Sequence, residues 1–168
     1  MLVKKDILEI KDNVFDLIGK QWMLVTAGNM DSFNTMTASW GGMGVLWNRN
    51  VATIYIRPQR FTLEFVHAND YFTLCFFDEG YKDVLRYCGS HSGRDVNKIE
   101  NTGIIPIQTS LGNVVFKESS LILECKKIYM DRLKEKNIND KLIHDLIYPS
   151  QDYHFMFIGE IVNCMVNK

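Results

Sequence analysis

Proline is scarce in this sequence, with three residues among 168, and no low-complexity tract or internal repeat accompanies it. Nothing marks a linker between domains, and a chain of this length with 46% apolar residues is expected to form one domain over residues 1–168. An excess of either charge is missing too. Nineteen basic residues stand against twenty acidic ones, a net charge of -1, which leaves no electrostatic footprint for a nucleic-acid backbone. No run approaches the roughly 20 apolar residues of a membrane-spanning helix. The stretch MLVKKDILEIKDNVFDLIGKQW is broken by charges every few residues and has no apolar region ending in a cleavage site. The expected setting is the cytoplasm, without membrane or nucleic-acid partners.

Cysteine is sparse and irregularly spaced. Cys75, Cys88, Cys125 and Cys164 form no Cys-x-x-Cys pair, and no histidines stand at ligand spacing, so no metal site is expected. Cys75 in YFTLCFF and Cys125 in LILEC read as small buried hydrophobes. Cys88 opens the polar segment CGSHSGRD, where a thiol is either structural or accessible and reactive; the structural reading is preferred. The P-loop spacing and the strand–GxGxxG–helix unit are both absent, which argues against those two modes of nucleotide binding.

What the sequence does have is a series of short runs rich in β-branched and aromatic residues. These are WMLVTAG (22–28), TMTASW (35–40), VATIYI (51–56), YFTLCFF (71–77), NVVFKES (113–119), LILECKKIYM (121–130) and HFMFIGEIVNCMV (154–166), separated by Gly, Asn, Asp or Pro. Helical stretches interrupt them at 60–68, 80–87 and 139–147; in the first and third, apolar residues such as Phe61, Leu63, Phe65 and Val66 recur three or four apart. The pattern predicts a mainly β, antiparallel domain with a few peripheral helices, and closure into a barrel would remove open strand edges.

The most unusual stretch is NTMTASWGGMGVLW. It passes from a hydroxyl-rich extended segment to a glycine-rich one without charge. In an extended chain Thr35, Thr37 and Ser39 share one face while Met36, Ala38 and Trp40 share the other. Such a segment can cover a flat apolar ring and satisfy its polar edge, or it can be a surface strand followed by a glycine turn. Next, IRPQRFT sets Arg57, Arg60 and Thr62 where a strand gives way to a helix. These groups can hold a phosphate, or they can be solvated or paired with carboxylates such as Glu64. Finally, CGSHSGRDVNK offers Ser90, Ser92, Arg94 and Lys98 among glycines as a second phosphate cradle.

In order, NTMTASW, IRPQRFT, FTLCFF, CGSHSGRDVNK and DYHFMFIGEI resemble the flavin reductase-like, FMN-binding split barrels, in particular their flavoredoxin-like branch, from about residue 15 onward. The resemblance implies a Greek-key split β-barrel. It implies that Asn34, Thr35, Met36, Thr37, Ala38, Ser39 and Trp40 lie along the flavin ring, with Trp40 closing over it. Arg57, Arg60 and Thr62 are then near the phosphate and ribityl chain, and Ser90, Ser92 and above all Lys98 complete the phosphate site, with Arg94 a lesser candidate. His154 matches a family position close to the flavin, against the alternative that a lone strand histidine is structural. The same resemblance implies a homodimer with FMN at or near the subunit interface.

One departure stands out. Many relatives with nicotinamide-dependent activity are richer in proline after the serine-tryptophan pair, where this chain has GGMGVLWNRN. The leading expectation is an FMN-dependent oxidoreductase reduced by NADH or NADPH, with no protein acid or base strictly required because the flavin supplies the redox chemistry. The alternatives are a flavoredoxin-type electron carrier fed by a redox protein partner, and a cofactor-free β-barrel interaction module.

Overall fold

The computed structural model describes residues 2–167. Ten strands and five short α-helices follow one another: β1 (Leu2–Lys4), α1 (Val14–Asp16), β2 (Met23–Asn29), β3 (Ser32–Ala38), β4 (Gly41–Leu46), β5 (Arg49–Ile56), α2 (Thr62–Ala68), β6 (Tyr71–Phe76), α3 (Lys82–Ser90), α4 (Lys98–Thr102), β7 (Pro106–Gln108), β8 (Val114–Phe116), β9 (Leu121–Arg132), α5 (Lys141–Ile147) and β10 (Phe155–Asn167). The first helix runs on into a single π-helical turn, Leu17–Gln21. Among the described residues no helix is long and apolar enough to cross a membrane.

All strand pairs are antiparallel, and the main sheet runs β3-β2-β6-β9-β10-β5-β4, with β1 added to the far half of β10. Its two end strands, β3 and β4, are consecutive in sequence and joined only by Ser39 and Trp40. The sheet thus curls until its edges meet at one corner, without a ladder between them among the described residues. This is the expected mainly β split barrel with peripheral helices.

The central strands bury both faces, which is why their sequences are continuous apolar runs rather than alternations. Val25, Leu74, Leu123, Ile54 and Phe157 point into one cluster. Their neighbours Leu24, Cys75 and Ile122 point the other way, beneath α3 and the β7–β8 hairpin, with Phe77, Leu85, Cys88 and Phe116. Gly159 sits at a register shift of β10 on β9, where a Cβ would come within 2.7 Å of Cys125 Cβ and Phe72 Cζ, so only glycine lets the strands cross there. Glu124, fully buried, is held by Asn113 Nδ2 at 2.6 Å and Asn163 Nδ2 at 2.7 Å, with Thr109 Oγ1 as a third donor; this neutral donor set satisfies a charge that burial would otherwise penalise.

Two local expectations need correcting. The run 41–46 is no turn: it is β4, paired with β5 in the register Gly41↔Ile54 to Leu46↔Arg49. The polar segment CGSHSGRDVNK is divided as well, since Cys88 and Ser90 complete α3 and Lys98 begins α4. In both places the apolar periodicity is too short to register. Tertiary pairing supplies β4, and the Asn97 cap, which accepts from the N–H groups of Ile99 and Glu100, starts α4.

Candidate functional site

Strand β3 forms the floor of a groove. One part of it, of about 260 Å³, is lined by Met36, Thr37, Ala38, Ser39, Trp40, Tyr55, Arg57, Arg60 and His154. The other, of about 170 Å³, is lined by Asn34, Met36, Arg60, Thr62, Ser90, His91, Ser92, Gly93 and Lys98 among others. Met36 and Arg60 belong to both, so the two parts are continuous. Of the fifteen candidate residues, Arg94 included, Thr35 and Arg94 do not line this groove; the Thr35 hydroxyl is buried against Thr26 Oγ1 at 2.8 Å.

The cations in the groove are held in different ways. Lys98 is 94% buried and donates to Thr35 O at 2.7 Å and Cys88 O at 2.8 Å, leaving one ammonium proton for anything in the cavity. Burial, and secondarily the charge of Arg60, lowers its pKa. Arg60 Nη1 donates to Gly89 O at 2.8 Å, leaving the rest of its guanidinium fork uncommitted. Both cations therefore rest on the last carbonyls of α3, which attract positive charge. Arg57 is different: it is ion-paired with Asp152 and donates to Ile147 O at 2.9 Å. Arg94 is paired with Glu64 and lies over the Phe61 ring at 4.6 Å. Pairing with a carboxylate, the alternative weighed for Arg57 and Arg60, thus applies to Arg57 and not to Arg60, while Glu64 is taken by Arg94.

The hydroxyls divide similarly. Thr37 Oγ1 donates to Leu85 O at 2.5 Å and Ser90 Oγ to Arg86 O at 2.9 Å, so both protons are spent inside the protein. Thr62 Oγ1 accepts from Asn34 Nδ2 at 2.7 Å, and Ser92 Oγ accepts from Arg94 N at 3.2 Å. Each keeps its own proton to donate. Among the described residues the backbone N–H groups of Ser92 and Gly93 have no protein acceptor. A Cβ on Gly93 would fall 2.0 Å from Asn34 Oδ1, so glycine is what lets this loop close on β3 and form the cradle. Free N–H groups, two hydroxyls, a guanidinium fork and one ammonium proton make a donor set suited to a phosphate.

At the opposite end, His154 is 94% buried, its ring 5.2 Å from that of Trp40. Its Nδ1 is 2.8 Å from Tyr148 Oη. Burial, and secondarily the Arg57 guanidinium, lowers its pKa to about 4, so it is neutral near pH 7. Beyond Trp40 the groove opens into a cavity of about 770 Å³ lined by Val14, Phe15, Ile18, Gly41, Gly42, Met43 and Leu133, together with Ser39, Tyr55, Tyr148 and His154.

Sequence reasoning missed Tyr55, Tyr148 and Gly93. Tyr55 was hidden in an ordinary strand pattern and Tyr148 lies outside every motif; Gly93 was visible only as one glycine among several. Cys88, which the sequence left open, is fully buried, and burial pushes its thiol up to about 11, as a structural residue requires. No group of three or more His, Cys, Asp or Glu suited to a metal occurs among the described residues.

No curated protein matches the chain in sequence. The family model described as "Flavin reductase like domain" matches residues 15–168. Among solved structures the chain is similar to an FMN-binding domain of a flavin reductases-like enzyme from Shewanella baltica (20% identity, TM-score 0.71, covering 99% of this chain and 77% of that one). It is also similar to the flavoredoxin of Desulfovibrio vulgaris (20% identity, TM-score 0.69, 99% and 78%). A third is the Streptomyces globisporus NADH:FAD oxidoreductase solved with NAD and FAD fragments (16% identity, TM-score 0.66, 88% and 74%).

Proposed function

Because the chain belongs to the flavin reductase like domain family, we propose that it binds FMN along β3 and works as an oxidoreductase drawing electrons from NADH or NADPH. The observation that carries this reading is the continuous groove. Its two ends differ as the two ends of FMN differ, with an aromatic and histidine-lined part at Trp40 and His154 and a donor-rich part at Arg60, Ser92, Gly93 and Lys98.

In this reading Arg60, Thr62, Ser92, Lys98 and the N–H groups of Ser92 and Gly93 hold the phosphate. Ser39 and the backbone of β3 meet the ring, while Trp40 and His154 border it. The bound flavin supplies the redox chemistry, and the protein supplies position and electrostatics. Lys98 and Arg60 need little reorganisation because the end of α3 already fixes them. Arg57 contributes by holding the segment 147–152 against the groove rather than as a free phosphate ligand. The proposal includes a homodimer, to which exposed apolar side chains such as Val45, Trp47, Leu142 and Leu146 offer surface. It also includes a reducing, cytoplasmic setting, in keeping with four free buried thiols.

The experiment is a visible spectrum of the protein with added FMN, then anaerobic mixing with NADH and with NADPH. A flavin band that bleaches with either donor is the expected result. A bound flavin that bleaches with dithionite but with neither nicotinamide would indicate a partner-fed carrier, and no uptake of FMN would refute the reading.

A further inference from the structure

Burial without a partner is concentrated in one place. Among the described residues four buried side-chain atoms lack a hydrogen-bond partner, Ser119 Oγ, His144 Nε2, Asp152 Oδ1 and Tyr153 Oη, and the last three belong to the single segment that joins β9 to β10. Such atoms give up water and gain no bond in return, so each one weakens the closed form of the segment relative to an open one. His144 Nε2 does lie 3.3 Å from Glu135 Oε1, but out of line for a hydrogen bond. Gln151 adds a left-handed φ of 55°, a conformation that a non-glycine residue adopts at a cost.

Little apolar packing offsets these costs. Helix α5 buries none of its residues, and Leu142, Ile143 and Leu146 are exposed. The base of the segment is closed by Leu133 N, which donates to His154 O at 2.9 Å. Away from that base, three side chains tie it to the groove. Arg57 is paired with Asp152 and donates to Ile147 O at 2.9 Å, Gln59 Nε2 donates to Asp152 Oδ2 at 2.9 Å, and Tyr148 Oη is 2.8 Å from His154 Nδ1. Asp152 Oδ2 takes both the Arg57 and the Gln59 donor, which leaves Oδ1 with none.

We propose that residues 134–153 form a strap that opens and closes as a unit at the Trp40 end of the groove, with the Arg57–Asp152 pair as its latch. Opening returns the three orphaned atoms to water and relaxes Gln151. It also removes the Tyr148 wall of the 770 Å³ cavity and uncovers the Arg57 guanidinium, which lines the groove. The closed and open forms thus differ by one cavity wall and by one free cation. The sheet need not break, because β9 and β10 are already paired below the strap, from Arg132↔Phe155 onward. The inference goes beyond the flavin reading and needs no bound ligand, so it stands or falls separately.

The test is backbone hydrogen exchange in the full chain without added ligand, followed across low urea concentrations. The N–H groups of Tyr148 and Gln151, which donate to His144 O and Tyr148 O, report the strap, and those of Leu123 and Phe157 in β9 and β10 report the sheet. The strap amides are expected to exchange at least about 100-fold faster than the sheet amides. Their rates should also vary little with urea, since opening exposes far less surface than global unfolding. Arg57→Gln breaks the latch and should speed the strap amides together by about tenfold. Tyr153→Phe removes an orphaned hydroxyl, favours the closed form, and should slow them by about threefold or more. Strap amides that follow the sheet amides in rate and urea dependence would overturn the inference. So would an Arg57→Gln protein in which Tyr148 and Gln151 keep their wild-type rates, or a Tyr153→Phe protein in which they fail to slow. Should Arg57→Gln not fold, the urea series on the wild type and Tyr153→Phe still decide.

Discussion

Arg60 and Lys98 hold adjacent carbonyls at the end of one helix, Gly89 O and Cys88 O, each at 2.8 Å. Arg60 comes from just before α2 and Lys98 from the start of α4, and α3 positions both before any ligand arrives. Their roles differ in how much of each cation is left over, and the predictions divide accordingly.

Arg60 spends one N–H on Gly89 and is only half-buried. Arg60→Ala should weaken FMN binding by about 10- to 100-fold, the cost of losing charge-assisted bonds to a phosphate, while riboflavin binding should change by less than about threefold. Titration of flavin fluorescence with both ligands checks this; equal losses for the two would place Arg60 away from the phosphate.

Lys98 spends two of its three protons on buried carbonyls. Lys98→Met retains the stem but leaves those carbonyls unsatisfied, so the flavin-free protein should lose about 2–4 kcal/mol of stability. Denaturant unfolding without FMN reads this directly. A lysine serving the phosphate alone, as the sequence suggested, would leave that midpoint unchanged.

His154 links stability to pH. Its folded pKa, about 4, lies below the ordinary value of 6.5, so on acidification the unfolded chain takes up a proton that the folded chain refuses. The stabilisation is fully present above about pH 6.5 and is lost as pH falls toward 4, up to a few kcal/mol. Unfolding midpoints at pH 7 and pH 5 should differ, and His154→Gln should remove much of that difference.

All four cysteines are buried and free. Burial raises the thiols of Cys75, Cys88 and Cys164 to about 11 and pushes that of Cys125 up as well. The folded protein should therefore react slowly with a thiol reagent at pH 8, and all four should react on unfolding. Rapid modification of one thiol in the native state would contradict the closed core around Cys88.

Residue type and spacing were enough to place seven of the strands and three of the helices, because period-two and period-3.6 patterns are local properties of the chain. They were also enough to nominate the site, since hydroxyls, arginines and glycines cluster at CGSHSGRDVNK and NTMTASW whatever the fold. What each cation does was decided only by tertiary structure. Lys98 meets Thr35 across 63 positions of sequence and Arg57 meets Asp152 across 95, and no local pattern encodes which of two cationic side chains finds a carboxylate and which finds a helix end. Strand β4 is the same kind of case: three glycines in six residues argue against a strand, and the ladder with β5 overrides that preference through hydrogen bonds that exist only once the sheet has curled. The hydrogen-bond partner of His154 was equally out of reach, because it is Tyr148, from a segment that sequence reading had no reason to bring into the site.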